Sequence, residues 1–534
     1  MSSIPISKEI LQALAKYTAS LKNKVSLVLQ TGEHPKRAEL ASFLNQICSV
    51  SEDLLFSERD FKEAARSPLT FFLESQENIN GISFSGIPSG HEFNSLILAI
   101  LHSGGSEIKL DQSIIDMLSN VKEELKFETI VSLSCHNCPD VVQALNQFSI
   151  ISPKISNEMI DGGLYPDLMK DRDIQGVPCV YLNGEVFASG KSDIAKLVSK
   201  LEELYPYLKP QVGKSLPLQD VAIVGGGPAG ISAAIYIARK GLSVTLIAEK
   251  IGGQVKETMG IENLISVSNT TGDKLTIDMK SHLNDYDVTL KEHLRVTNII
   301  QGVIKEITLS SGEIIEAKTI IIATGAKWRE LGVPGEKENI GNGVAYCPHC
   351  DGPFFKGKDV AVIGGGNSGI EAALDLSGIV RKVSVFEFMP DLKADKILID
   401  QAEKKDNIQI FSNVQTEKIL STESRVTGIE YKDRITNEIR LIDLDGVFIQ
   451  IGLIPNSQFI KGIVKLNKHG EIIINEHGET SEEGVFACGD VTTVPYKQII
   501  ISMGEGAKAA LSASDYLMKY SAKGAPADKE LYAL

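Results

Sequence analysis

Two glycine-rich turns decide most of what this chain can fold into. Asp220-Val-Ala-Ile-Val224 is a short apolar strand running directly into Gly225-Gly226-Gly227-Pro228-Ala229-Gly230, and Ile231 to Lys240 continues as a helix. The pattern recurs as strand Asp359-Val-Ala-Val-Ile363, turn Gly364-Gly365-Gly366-Asn367-Ser368-Gly369 and helix Ile370 to Leu376. In such a unit the first glycine makes the turn, the second lets backbone approach a pyrophosphate, and the third permits close helix packing. Glu249 falls nineteen residues after Gly230, following the strand Leu242 to Ile247, and Glu387 falls eighteen after Gly369, following Lys382 to Phe386. An acid there hydrogen-bonds an adenosine ribose. Two dinucleotide sites are therefore expected, one holding Gly225, Gly227, Pro228, Ala229, Gly230 and Glu249, the other Gly364, Gly366, Asn367, Ser368, Gly369, Glu387 and Phe388. At the second, Glu387 repels a 2′-phosphate, and Phe388-Met389-Pro390 offers no arginine to hold one. NADH is the expected nucleotide there.

A chain of 534 residues is too long for one hydrophobic core. Its net charge of -15 argues against nucleic acid or an anionic membrane as the main partner, because both select clustered Lys and Arg. No apolar run approaches membrane-spanning length, and Met1 to Lys22 has no continuous signal-type apolar core. Four of the seven cysteines form two C-x-x-C pairs, Cys135/Cys138 and Cys347/Cys350. That usage suggests catalysis in a reducing compartment, and the expected location is the cytoplasm.

Two cysteines separated by two residues can close and open a disulfide, one thiolate attacking while the other leaves. Zinc is the competing reading, but each pair would need two further Cys or His ligands at compatible spacing, and the pairs lie more than two hundred residues apart. No metal is expected. Cys48 and Cys488 read as small buried apolar side chains.

At an offset of 104 residues the chain weakly repeats itself. Val25-Ser-Leu-Val-Leu, Pro35 and a helix to about Cys48 correspond to Thr129-Ile-Val-Ser-Leu, Pro139 and a helix to about Phe148; Phe84-Ser-Gly86 corresponds to Ala188-Ser-Gly190. The second copy carries Ser134-Cys-His-Asn-Cys-Pro139 between strand and helix, with Gly176-Val-Pro178 leading into the strand Cys179 to Leu182. This resembles a thioredoxin or glutaredoxin fold. The resemblance implies a cis Pro178 lying against the disulfide, with Val177 presenting its backbone to an incoming thiol partner. His136 and the helix N-terminus both favour a thiolate at Cys135. The first copy has Gln30-Thr-Gly-Glu-His-Pro35 in place of the cysteines and is expected to be structural. Three prolines among polar residues before Gln219 mark a semi-rigid linker on which the two halves should swing.

Thr319-Ile-Ile-Ile-Ala323-Thr324-Gly325 and Gly484-Val-Phe-Ala-Cys488-Gly489-Asp490 resemble the later flavin-contacting motifs of two-dinucleotide flavoproteins. With Gly325-Ala-Lys-Trp-Arg329, Tyr346-Cys-Pro-His-Cys-Asp-Gly-Pro353 and Thr493-Val-Pro-Tyr-Lys-Gln-Ile-Ile500, residues 215 to 520 resemble low-molecular-weight thioredoxin reductases. With the tandem front added, the whole chain resembles the flavoprotein components of bacterial alkyl hydroperoxide reductases.

The resemblance implies an α/β architecture of two thioredoxin-like folds followed by a Rossmann-like FAD and NAD core. The expected divisions are 1–120 and 121–203 (thioredoxin-like), 204–218 (linker), 219–332 and 452–521 (FAD), 333–451 (NADH, with its C-x-x-C) and 522–534 (tail). One FAD per chain is implied, held additionally by Gly253, Gln254, Asn263, Ala323, Thr324, Gly325, Gly489, Asp490, Lys497, Gln498 and Ile499. Gly452 joins the NADH residues. NADH would reduce FAD, FAD the Cys347/Cys350 disulfide, that dithiol Cys135/Cys138, and this last pair a peroxiredoxin partner. Cys350 would face the flavin and Cys347 attack the next disulfide. Asp351 would act as acid or base for the leaving thiolate, or as a helix cap. Glu92 would sit near the second copy's disulfide, or serve as a first-turn acid. A homodimer is implied. One flavin face cannot meet nicotinamide and disulfide together, so the NADH domain is expected to rotate about Leu331 to Gly335 and Ile451 to Pro455. A crosslink across these segments should stop turnover with FAD still bound. The rivals are a general thioredoxin reductase with a fused thioredoxin-like module, and a redox sensor or docking protein.

Overall fold

A computed structural model describes residues 6–522 apart from 77, 136, 175, 191, 210–215, 259, 341 and 423–424; the side chains of 78, 79, 257, 349, 350 and 520–522 are also outside the description. His136 and most of the linker therefore lie outside the described residues. The chain divides into two compact units, residues 1–214 and residues 215–534 save for 292–295 and 309–313, which group with the first.

The first unit is one eight-stranded sheet. Its strands are β1 (Val25–Gln30), β2 (Leu54–Arg59), β3 (Thr70–Ser75), β4 (Asn78–Ser85), β5 (Leu125–Val131), β6 (Ile155–Asp161), β7 (Cys179–Leu182) and β8 (Glu185–Ser189), in the order β2-β1-β3-β4-β6-β5-β7-β8. Within β2-β1-β3-β4 the pairings are parallel, antiparallel, antiparallel. β6-β5-β7-β8 repeats that sequence of pairings. The weak repeat is thus a duplicated fold, joined edge to edge where β4 pairs parallel with β6. The central strands are buried on both faces, as Val25, Leu27, Val28 and Leu29 at 0% exposure illustrate, which is why they read as unbroken apolar runs.

The first copy has no cysteine pair, and its contribution to the second is polar as well as apolar. Arg66, in the loop between β2 and β3, donates from Nε and Nη2 to the two Glu158 oxygens, each at 2.8 Å, and from Nη2 to Glu128. Ser85 donates to Glu158 at 2.5 Å. The half-buried guanidinium bridges two strands of the other copy, a planar geometry that Lys cannot reproduce.

In the second unit, strand Gln219–Val224 lies between Val244–Ala248 and Ile314–Ile322, all parallel, and Val485–Ala487 adds parallel to Ile314–Ile322. A separate parallel sheet holds Val344–Ala345, Gly446–Ile449, Asp359–Ile363, Lys382–Phe386 and Ile408–Phe411 in that order. The chain crosses from one sheet to the other and back, and the crossings pair antiparallel as Ala326–Trp328 with Leu453–Pro455. Arg329 N–H donates to Gly452 O at 3.0 Å, and Asn456 and Thr324 exchange two further bonds of 2.7 and 2.9 Å. Among the described residues no helix is long and apolar enough to cross a membrane.

Candidate functional site

The first unit brings Cys135, Cys138, Pro178 and the Glu92 turn into one neighbourhood. Cys135 and Cys138 form a disulfide at the start of helix Cys138–Ile151, with Pro139 in its first turn where no amide donor is needed. Cys138 is fully buried, whereas Cys135 is only partly so. Val177-Pro178 is cis, and Val177 O lies 3.8 Å from Cys135 Sγ, so the segment before β7 is laid against the partly buried sulfur.

Glu92 heads helix Phe93–Ser103, where a first-turn acid stands, but is buried rather than solvated. It closes a short 3₁₀ turn, Gly90–Glu92, caps nothing with its side chain, and is 0% exposed. That turn docks on the segment leading to the disulfide: His91 N–H donates to Leu133 O at 3.1 Å, and a Cβ at Gly90 would stand 2.6 Å from the same oxygen. Both Glu92 carboxylate oxygens are buried without a hydrogen-bond partner. Burial pushes its pKa up to about 7, opposed only by the nearby Ser95 side chain.

The second unit contains two phosphate cradles of the same construction. Gly225 has φ +119°, and a Cβ there would lie 2.2 Å from Ala323 O; a Cβ at Gly230 would lie 1.8 Å from Gly225 O. At Gly364 (φ +118°) and Gly369 the corresponding approaches are 2.6 Å to Gln450 O and 1.9 Å to Gly364 O. The middle glycines differ: nothing lies within 4 Å of a Cβ at Gly227 or Gly366. First and third glycines are demanded by the fold, and the second leaves space at a helix N-terminus where phosphate oxygens fit.

Register gathers the other motif residues around each cradle. Ile322 is opposite Val224 and Ala487, so Gly225, Ala323 to Gly325 and Cys488 to Asp490 emerge at adjacent strand ends. A Cβ at Gly253 would be 3.3 Å from Gly227 Cα. With its amide turned so that both ends are satisfied, Gln254 donates to Ala326 O at 2.6 Å and accepts from the Trp328 indole N–H. Burial raises the Asp490 pKa, while Ser502 donates to the carboxylate at 2.9 Å. Lys497 pairs with Glu471 at 3.0 Å, and Glu249 is exposed at its strand end. These groups fit a dinucleotide with a polyhydroxylated chain.

In the other sheet Ile363 is opposite Phe386 and Ile449. Glu387 is buried, accepting from Gly365 N–H at 2.5 Å and Met389 N–H at 2.7 Å. It borders a cavity of about 500 Å³ that also meets Gly364, Phe388, Leu331 to Pro334 and Ile451. Gly452 follows directly, with φ +104°. The Asn367 side chain is engaged at both ends with Asp395, at 3.0 and 2.7 Å.

Cys347 stands just before the short helix Pro348–Asp351 and is disulfide-bonded; the Cys350 and His349 side chains lie outside the described residues. Gln498 Nε2 approaches Cys347 Sγ at 4.0 Å, and Asn263 donates to Gln498 Oε1 at 3.2 Å. Three residues placed on separate motifs in the sequence therefore meet. Burial pushes the Asp351 pKa up to about 6, against a hydrogen bond from the Cys347 backbone. Sequence reasoning missed Glu336, which is fully buried and accepts from Leu331 N–H (2.8 Å), Gly332 N–H (2.6 Å) and Tyr346 O–H (2.7 Å). It ties the entering crossing to the residue before Cys347. Cys48 and Cys488 are buried thiols with pKa pushed up to about 12, and Cys179 is shifted the same way by burial.

Comparison with known proteins agrees with this geometry. Residues 219–506 match the pyridine nucleotide-disulphide oxidoreductase family, and residues 126–203 match a thioredoxin domain. An Escherichia coli alkyl hydroperoxide reductase subunit is 45% identical over 510 residues, covering 95% of this chain and 98% of that protein. A Bacillus subtilis protein named NADH dehydrogenase is 45% identical over 506 residues, with 95% and 98% covered. Among solved structures, a thioredoxin reductase from Streptococcus pyogenes superposes with a TM-score of 0.54 at 36% identity, covering 57% of this chain and 99% of its own. The chain is an oxidoreductase belonging to the pyridine nucleotide-disulphide oxidoreductase family and, over nearly its whole length, to the flavoprotein components of alkyl hydroperoxide reductases.

Proposed function

We propose that this chain carries electrons from NADH through FAD to Cys347/Cys350, then to Cys135/Cys138, and from there to a peroxiredoxin that reduces alkyl hydroperoxides and hydrogen peroxide. The observation that carries the reading is a thioredoxin-type disulfide, partly exposed at Cys135 and buried at Cys138, in one chain with two phosphate cradles and a second bonded cysteine. FAD supplies a two-electron carrier between the nucleotide and the inner cysteines. Gly225, Gly227, Gly230 and Glu249 would hold its adenosine diphosphate half, and Asp490 its ribityl chain. Gly364, Gly366, Gly369, Glu387 and Phe388 would hold NADH.

The thiol steps balance within the protein. Cys347 as thiolate attacks the partly exposed sulfur of Cys135, the Cys135–Cys138 bond breaks, and Cys138 departs as thiolate from a helix N-terminus that favours it. Cys350 then attacks the mixed disulfide, closing Cys347–Cys350 and freeing Cys135. Asp351, half-protonated near pH 6, supplies a proton to the inner thiolate released when the Cys347/Cys350 disulfide is reduced and takes one back when that cysteine attacks. Cys135 repeats the attack on the oxidised peroxiredoxin, with Cys138 resolving.

A homodimer and a cytoplasmic location belong to the same reading, supported by the family likeness and by cysteine pairs that must cycle in a reducing compartment. The domain divisions stated above belong to it as well. The test is NADH oxidation with oxidised peroxiredoxin beside oxidised thioredoxin as acceptor. Peroxiredoxin is expected to be the better acceptor; equal or better turnover with free thioredoxin makes the chain a general thioredoxin reductase, and none with either makes it a sensor.

A further inference from the structure

Phe388 follows the ribose-binding acid, lines the same cavity as Glu387, and is 48% exposed. A phenyl ring held half in water at a cavity wall is poorly explained as packing, because burying it would be favourable. One side of it is nevertheless occupied. The guanidinium carbon of Arg434 stands 3.7 Å from the ring centroid, and Arg434 Nη1 donates to Phe388 O at 2.6 Å. Arg434 comes from the turn between strands Arg425–Asp433 and Ile439–Asp443, forty-six residues further along the chain.

That turn is fixed on both sides. Asp433 Oδ1 accepts from Ile435 and Thr436 N–H at 2.9 and 3.1 Å. Arg434 N–H donates to Asn413 O at 2.8 Å, and Asn413 N–H donates to Met389 O at 3.0 Å. Three segments are thereby bound into one wall, and the guanidinium is committed to Phe388 through both its π-face contact and its hydrogen bond.

We propose that Arg434 is a positioning residue of the pyridine-nucleotide site, holding Phe388 as the stacking wall for the adenine ring while Glu387 takes the ribose. The inference rests on the reading of this cavity as the NADH site. A base presents a π-face to an aromatic side chain whatever its sequence context, and a ring already backed by a cation loses little freedom on stacking.

The test is steady-state kinetics of the full-length holoenzyme with NADH and a disulfide acceptor. Arg434→Ala should raise KM for NADH about fivefold to tenfold with kcat unchanged, as expected for loss of one such contact. Competitive inhibition by AMP should weaken by the same factor, turnover with reduced nicotinamide mononucleotide, which lacks the adenosine half, should not change, and Arg434→Lys, which keeps the charge but not the planar face, should recover only part of the KM. An unchanged KM in Arg434→Ala, or an equal loss with the mononucleotide, overturns the proposal. Phe388→Ala and Glu387→Gln separate the two levels: if they raise KM and Arg434→Ala does not, only the role of Arg434 falls, and if none of the three does, the cavity is not the NADH site.

Discussion

Replacing Glu92 by glutamine removes a proton-binding group from the interior of the disulfide-bearing unit, and the structure fixes the consequence. Both carboxylate oxygens are buried without partners, and burial raises the pKa from 4.5 to about 7. Because the folded value lies above the unfolded one, the group contributes its full stability below pH 4.5 and loses it as pH rises through 7. At 1.36 kcal/mol per unit, the swing across that window is about 3 kcal/mol. Glutamine keeps the shape and stays neutral, so the variant should show none of it. The assay is hydrogen exchange of the oxidised full-length protein, read on helix Phe93–Ser103, which follows Glu92 directly. After correction for intrinsic exchange, the wild-type opening free energy should fall by up to about 3 kcal/mol between pH 5 and pH 8, while Glu92→Gln stays level. Equal pH dependence in the two proteins would refute the assignment of a neutral, buried Glu92.

The two cysteines of the outer pair should differ in reach: after reduction, iodoacetamide should label Cys135 in the native protein and reach the fully buried Cys138 only on unfolding, as peptide mass spectrometry would show. The middle and first glycines of the NADH cradle should also separate. Gly366→Ala meets no protein atom within 4 Å, so it should leave the melting temperature unchanged while raising KM for NADH at least about tenfold, whereas Gly364→Ala, at φ +118° and 2.6 Å from Gln450 O, should destabilise the fold by about 2 kcal/mol or more. Asp351→Asn should slow turnover with a disulfide acceptor by about a hundredfold and abolish the pH-rate limb near pH 6; a retained limb assigns it elsewhere.

Much of this site could be read along the chain because its chemistry is local. Strands Asp359–Ile363, Lys382–Phe386 and Cys179–Leu182 fall where their apolar runs end, and each glycine turn is six consecutive residues in which the third glycine packs on the first. The duplicated front was legible for the same reason, as β4 and β8 carry the matching Phe-Ser-Gly and Ala-Ser-Gly ends. What escaped notice depends on contacts between distant segments. No arginine follows Glu387 in its own segment, yet a hairpin returns Arg434 to Phe388. Glu336 looks like one more surface acid until the crossing folds three donors onto it. Glu92 begins an apolar helix in sequence, and it is buried in the fold, where its turn docks on Leu133.

The serial hand-off between two separate cysteine pairs is tested most directly by anaerobic titration with NADH, counting reducing equivalents taken up per chain. Wild type should accept about three two-electron equivalents, one for FAD and one for each disulfide; Cys135→Ser should accept one fewer, and Cys347→Ser, which also interrupts the route to the outer pair, two fewer. Uptake equal to wild type in either variant would contradict the account.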